Sequence, residues 1–164
     1  MTTLPASAPA TTGAAFAHIN AVTAPTIDDL KLMVFLEASG LKGYYGLASG
    51  SENPEVRALL EANGREELAH AHRVAQVITL LTGEPFAPPA DDDNPYVSAT
   101  APALTAAVLE GLVRAETNGN DLYESWAQSI GNAEAAALLR QNGKEEVRHA
   151  DRADHDAVLA LNAE

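Results

Sequence analysis

Apolar residues recur along the chain at the three- and four-residue spacing of amphipathic helices, in four separate segments. Capping residues and helix-breaking residues flank each segment. The pattern predicts four helices, which run from Thr26 to about Gly50, from Asn53 to Gly83, from about Ala103 to Ser129, and from Asn132 to about Leu161. Outside them, the Ala-, Thr- and Pro-rich residues 1–25 predict a flexible N-terminal arm.

The lengths of the connections predict how these helices are arranged. Short links at 50–53 and 130–132 favour two antiparallel hairpins. The proline- and aspartate-rich residues 83–102 can span roughly 60 Å when extended, so the second and third helices can run parallel. We therefore predict an all-α, ferritin-like four-helix bundle over 26–164, made of the halves 26–82 and 103–161 and one long crossover.

The two halves of the chain repeat one another. The segment NGREELAHAHR, which starts at Asn63, returns 79 residues later as NGKEEVRHADR, which starts at Asn142. With this offset, residues 26–73 and 105–152 share 19 identities in 48 positions. Two copies of one helical hairpin are therefore expected to form the bundle.

Polar residues interrupt the apolar face of every helix. An unpaired buried carboxylate costs several kcal/mol or more, so a cation is expected among them. Glutamate and histidine at i and i+3 share one helix face and can bind the same cation. The repeat supplies two such pairs, each 30 residues after a core glutamate. The predicted metal ligands are Glu37, Glu67, His70, Glu116, Glu146 and His149.

Composition narrows the chemistry. The chain has no cysteine, which excludes thiolate sites, and its net charge of -13 argues against nucleic acid or an anionic membrane as partner. It also lacks an apolar run of about 20 residues and the features of a signal peptide, so a cytoplasmic location is expected.

Carboxylate oxygen with imidazole suits two iron ions, with manganese or a mixed Mn/Fe pair as alternatives and zinc as a possible substitute.

This ligand pattern resembles the ferritin-like di-iron carboxylate proteins, especially the rubrerythrin and bacterioferritin branch, over about residues 26–161. Family members commonly carry a tyrosine seven residues after the helix glutamate, as Tyr44 and Tyr123 are here. Each phenol is expected either to point back at the metals or to fill the core.

Rubrerythrins typically have a further glutamate where this chain has Gly119, and ferritin cages use a fifth helix for which the chain has no room. The resemblance is therefore to an erythrin without a rubredoxin domain.

The resemblance implies a redox enzyme that reacts with peroxide or dioxygen, as an erythrin-like peroxidase or a ferroxidase, with an external electron donor and as a homodimer. An iron-handling protein without an organic substrate and a di-iron hydroxylase remain alternatives. In the leading interpretation, Glu67 and Glu146 bridge the metals, whereas Glu37 and Glu116 are terminal ligands.

Other repeated residues lie near this set. Gly40 and Gly119 either open a pocket or allow a close helix approach. The remaining residues in these positions have the following expected roles: Asn63 and Asn142 as donors to the ligands, Arg73 and Arg152 in surface or interhelical ion pairs, and Glu66 and Glu145 in solvent.

Overall fold

The structure is a computed structural model that describes the backbone of residues 2–161 and the side chains of residues 2–155. Met1 and residues 162–164, which the predicted arm and bundle include, lie outside this range. The described part contains α-helices and no strand. The helices are α1 (Thr12–Asn20), α2 (Ile27–Ser49), α3 (Pro54–Thr82), α4 (Ala106–Ser129) and α5 (Ala133–Leu161), with a short 3-10 helix at Asp91–Asp93.

The helix boundaries follow from local capping chemistry. Thr26 and the side chain three residues after it form a reciprocal capping box at the start of α2. The Asn53 side chain accepts a hydrogen bond from the Glu55 backbone at the start of α3, and Asn132 accepts one from Ala135 in the first turn of α5. Gly83 ends α3 with a left-handed φ of 77°, a conformation that glycine adopts without steric cost.

The four long helices pack as two hairpins. Helix α2 lies along α3, α4 lies along α5, and α3 and α5 join the two hairpins. No comparable packing joins α2 to α4 among the described residues. The crossover between α3 and α4 is held on the bundle, because Asn94 donates a hydrogen bond of 2.8 Å to the Phe35 carbonyl. The predicted all-α, ferritin-like bundle with one long crossover is confirmed.

Helix α1 corrects the prediction of a flexible arm over residues 1–25. Its Ala15 and Ile19 are buried in the same apolar cluster as α2 and α3. His18 bonds Asp29 at the start of α2 over 2.7 Å, and Tyr96 of the crossover donates to the Pro9 carbonyl. A composition rich in alanine and threonine suggests a mobile segment, but Ala15 and Ile19, four residues apart, lie on one helix face and pack into the core.

No helix in the described part of the chain combines the length and the apolarity needed to cross a bilayer.

Candidate metal centre

The fold brings the six predicted ligands together in the middle of the bundle. Each helix contributes from its buried face: α2 and α4 one glutamate each, and α3 and α5 one glutamate and one histidine each. All six are buried, and both histidines are fully so; the set is Glu37, Glu116, Glu67, His70, Glu146 and His149. The ligand atoms of Glu67, His70, Glu146 and His149 lie within 4.8 Å of one another.

The distances divide this cluster into two sides with one shared carboxylate. The Nδ1 atom of His70 lies 3.5 Å from Glu37 Oε2 and 3.3 Å from Glu146 Oε1. On the other side, His149 Nδ1 lies 3.0 Å from Glu67 Oε1, 3.4 Å from Glu116 Oε2 and 3.4 Å from Glu146 Oε2. The two oxygens of Glu146 therefore face different histidines.

Four atoms of this cluster are buried without a hydrogen-bonding partner in the described structure. They are Nδ1 of both histidines, Oε2 of Glu37 and Oε2 of Glu146. Buried polar atoms are nearly always hydrogen-bonded, so unpaired ones call for a physical reason. All four belong to predicted ligands of one cluster, and oxygen with imidazole nitrogen is a donor set that fits divalent first-row metals. The residues present therefore fit a metal centre.

The far nitrogen of each histidine binds a carboxylate on the opposite half of the chain. His70 Nε2 donates to Glu145 Oε2 over 3.1 Å, and His149 Nε2 donates to Glu66 Oε2 over 3.1 Å. The prediction that these two glutamates lie in solvent is wrong, because they face the α3–α5 contact. The repeated Glu-Glu doublet was the available signal, but helix geometry alone does not say which neighbour lies beside the ligand face.

Arginine and asparagine complete the same contact twice. Arg73 donates to Glu145 over 2.7 Å and to Asn142 over 2.8 Å, and the Asn142 amide donates to the His70 carbonyl. The other half repeats this arrangement with equivalent residues, which are Arg152, Glu66, Asn63 and the His149 carbonyl. The arginines therefore form interhelical ion pairs, and the asparagines fix the register of α3 against α5 through backbone bonds to the histidines.

These contacts set which histidine nitrogen carries a proton. Burial alone would raise the pKa of Glu145, but hydrogen bonds from Arg73 and the charge of His70 lower it. Burial likewise opposes the ionised form of Glu66, and Arg152 lowers its pKa. Both carboxylates are therefore ionised acceptors that hold the proton on Nε2. With this proton fixed on Nε2, Nδ1 would be the ligand atom of a metal-bound imidazole.

The inner carboxylates strongly perturb one another. Burial opposes the charged form of His70, but the nearby carboxylates of Glu146 and Glu37 outweigh it and raise the pKa of His70 to about 11. Burial, together with the neighbouring Glu146 and against the opposing effect of His149, raises the pKa of Glu116 to about 8. The pKa of Glu67 also rises well above its ordinary value. Clustered titratable groups with strongly shifted pKa values are typical of functional sites.

Two buried tyrosines connect the halves across the site. Tyr44 donates a hydrogen bond to Glu116 Oε1, and Tyr123 donates one to Glu37 Oε1. Burial, followed by the nearby carboxylates, raises the pKa of both phenols well above 10.0. Both therefore stay protonated and act as donors. The phenols were expected either to point at the metals or to fill the core. In the structure each phenol contacts a carboxylate of the predicted ligand set.

Gly40 and Gly119 lie against the glutamates of the neighbouring helix. A Cβ at Gly40 would lie 2.7 Å from Cγ of Glu67, closer than real atoms approach, whereas one at Gly119 would lie 3.3 Å from Cγ of Glu146. Both glycines also line a cavity, so both expectations for them hold. Gly40 in particular is required for the position of Glu67.

Fold and site together define the class of protein: a ferritin-like bundle with a buried carboxylate–histidine cluster that can hold two metal ions. The family model named Rubrerythrin matches residues 29–155, and the chain belongs to this family. Neither a curated protein nor a solved structure matches the chain significantly.

Proposed function

We propose that the protein is a di-iron oxidoreductase that reacts with peroxide or dioxygen. The observation that carries the proposal is the set of four unpaired, buried ligand atoms in a six-residue cluster. In this proposal, His70 and Glu37 hold one ion, and His149 and Glu116 hold the other. Glu67 and Glu146 bridge them, and the two oxygens of Glu146, each facing a different histidine, support that role.

The chemistry of the donor set supports iron among the possible metals. Four carboxylates can balance the charge of two divalent ions, and two imidazoles add softer donors. Manganese and a mixed Mn/Fe pair suit the same donors, and zinc binds them without redox activity. Two ferrous ions would supply the two electrons that reduce hydrogen peroxide to water.

The surrounding residues have three tasks in this reaction. Glu145 and Glu66 hold each histidine with Nδ1 toward the ions, as their Nε2 contacts of 3.1 Å support. Tyr44 and Tyr123 orient the terminal glutamates, and as protonated donors they neutralise charge that develops on those carboxylates. The packed α3–α5 contact excludes water from the histidine side, since neither histidine is exposed.

The first experiment measures the metal content and the oxidant preference. Anaerobic loading with Fe(II) should give about two ions per chain in the wild type, and His70→Ala with His149→Ala should remove most of that binding. Stopped-flow mixing of the loaded protein with equimolar peroxide or dioxygen then compares the two oxidants. We expect peroxide to react faster, as the erythrin resemblance implies. Metal content near zero in the wild type would overturn the proposed centre.

The second arm of this experiment addresses Gly119. This residue stands where rubrerythrins carry a further glutamate, which argues for dioxygen instead. If dioxygen reacts faster, the protein is an oxidase or ferroxidase, and Gly119→Glu should shift the preference toward peroxide. If neither oxidant reacts faster than with free Fe(II), the protein binds or handles iron without redox catalysis. The proposal includes an external electron donor, which turnover with added reductants tests. It also includes a homodimer, which sedimentation tests.

A further inference from the structure

A cavity of about 520 Å³ lies between α2 and α4, where these helices do not pack directly. The four glutamates of the metal centre form part of its wall, whereas the two histidines do not. The rest of the wall is mainly apolar and includes Met33 and Leu36 of α2 and Leu112 of α4. The cavity therefore joins an apolar chamber to the carboxylate side of the metal centre.

The internal repeat shows how this space arises. On α2 the wall has Gly43, where the equivalent position of α4 has Leu122. On α4 the wall has Ala115, where the equivalent position of α2 has Leu36. Each half thus lacks one leucine that the other half carries. The metal ligands are identical in the two halves, but the residues that would fill the cavity are not.

Residues of α1 and of the crossover also line the cavity. Phe16 and Ile19 of α1 and Tyr96 and Pro102 of the crossover line it. Ile19 is buried, and Tyr96 is tied to the Pro9 carbonyl, so these parts are docked. The remaining volume falls in the range of small-molecule sites. A small molecule therefore matches this space in size.

Charge decides the chemical class of that molecule. The four glutamates are the charged residues of the wall, and the chain as a whole carries a charge of -13. An anionic headgroup would be repelled there, and two bound divalent ions would only bring the four carboxylates to neutrality. A neutral, mainly apolar molecule meets no such penalty.

We propose that this cavity binds a neutral, largely apolar small organic molecule with one end at the carboxylate side of the metal centre. The inference deepens the proposed function, on which it rests for the chemistry at that end, because a molecule in this position is within reach of the reacting centre. The binding itself depends only on the cavity and can be measured without any redox reaction.

The test uses zinc-loaded protein, which is redox-inert, and two fluorescent probes with the same ring framework. N-phenyl-1-naphthylamine is neutral, and 8-anilino-1-naphthalenesulfonate is its anionic counterpart. The variants Gly43→Leu and Ala115→Leu fill the cavity with the residue of the other half. Gly43 has open space for a side chain, and Ala115 is exposed on α4, so both variants should fold. Gly111→Leu, also on α4 but away from the cavity, is the control.

We expect the wild type and Gly111→Leu to bind the neutral probe equally, and both filled variants to bind it at least about tenfold more weakly, a difference of about 1.4 kcal/mol. The anionic probe should bind the wild type at least about tenfold more weakly than the neutral one. Equal neutral-probe affinity in all four proteins, or no binding to the wild type, would overturn the cavity proposal. Equal affinity for both probes would overturn the neutral class.

Two further measurements on the same samples report on the metal centre and on the oligomeric state. Zinc content reports on the metal centre independently, so probe binding without zinc would leave the cavity supported and the proposed function rejected. Sedimentation reports on a second copy as the occupant. A wild-type dimer that Gly43→Leu and Ala115→Leu convert to monomers would assign the space to that copy and overturn the small-molecule proposal.

Discussion

His70 and His149 stack face to face, with ring centroids 5.1 Å apart and ring planes 16° apart. One histidine comes from each half of the repeat, and their Nε2 atoms bind carboxylates of opposite halves. Interactions with the inner glutamates overcome burial and raise the pKa of His149 to about 12, as they raise that of His70 to about 11. The raised pKa values show that, without metal, the surrounding carboxylates favour the protonated form of both stacked rings.

The first prediction concerns the pH dependence of stability. Without metal, the raised pKa of Glu116 contributes stability that is complete below 4.5 and is lost as pH rises toward about 8. His70 contributes stability that is complete below 6.5 and is lost as pH rises through about 11. The raised pKa of Glu67 contributes stability that is lost in the same direction of pH change as that of Glu116. The melting temperature of chelated protein should therefore fall between pH 5.5 and 8.5.

Metal-loaded protein should behave in the opposite way. Protons compete with the metal for carboxylate and imidazole. Metal binding therefore strengthens, and the melting temperature rises, as the pH increases over the same interval. Calorimetric scans of chelated and zinc-loaded samples at matched ionic strength measure both slopes. Coincident melting temperatures at every pH would show that the carboxylates are not buried around an ion.

A second prediction concerns the carboxylates that hold the histidines. Glu145→Gln keeps the size of the side chain but removes the charge that keeps the His70 proton on Nε2. We expect about 10- to 100-fold weaker affinity at one of the two metal sites, as is typical when the partner of a ligand histidine is lost. Zinc titration against a competing chelator measures both sites separately.

The internal repeat supplies the comparison for this experiment. Glu66→Gln should weaken the site of His149 in the same way, and the double variant should weaken both. Glu134→Gln, at an exposed position in the first turn of α5, is the control and should bind as the wild type does. If Glu145→Gln matches this control, the carboxylate does not position the histidine.

A third prediction contrasts the two glycines at the site. Gly40→Ala would place a Cβ within 2.9 Å of three atoms of Glu67 and should displace this ligand, whereas the contact at Gly119 begins at 3.3 Å. Metal content should therefore fall more in Gly40→Ala than in Gly119→Ala. The metal-free melting temperature of Gly119→Ala should not fall, because alanine favours a helix over glycine by about 1 kcal/mol. Equal metal content in both variants would contradict the steric argument.

The fourth prediction concerns the docking of α1. Asp29 accepts hydrogen bonds from Thr26 and from His18, so Asp29→Asn should lower the free energy of unfolding by about 1 kcal/mol. Asp28→Asn, which loses only an exposed contact with Lys31, should change it by a few tenths of a kcal/mol. Urea unfolding of both variants measures the difference.

The same pair of variants has a pH signature. Burial opposes ionisation of Asp29, but its hydrogen bonds with Thr26 and His18 outweigh this and lower its pKa below 3.8. A lowered pKa contributes stability that is present above 3.8 and is lost as pH falls through the folded value. The difference between wild type and Asp29→Asn should thus narrow in acid, and a constant difference would argue against the charge.

Sequence pattern predicted the bundle and gathered the ligands because both follow from helix periodicity. Glu37 and Glu67 had to face inward with the apolar residues of their stripes. The surroundings of Glu145 could not be predicted in this way. Its side chain points toward α3, and the position of α3 relative to α5 depends on tertiary packing. Helix α1 was missed because it is short and its stability comes from docking through Ile19 rather than from its own sequence.

The bonds that cross between the halves have a structural consequence. Tyr44 reaches Glu116, and Arg152 reaches Glu66, so neither hairpin holds a finished site by itself. The repeat means that equivalent bonds would also join two copies of one hairpin on separate chains. The two halves differ at residues outside these bonds, for example at Gly43 and the equivalent Leu122. A metal centre with equivalent residues in both halves thus lies beside a cavity whose two sides differ.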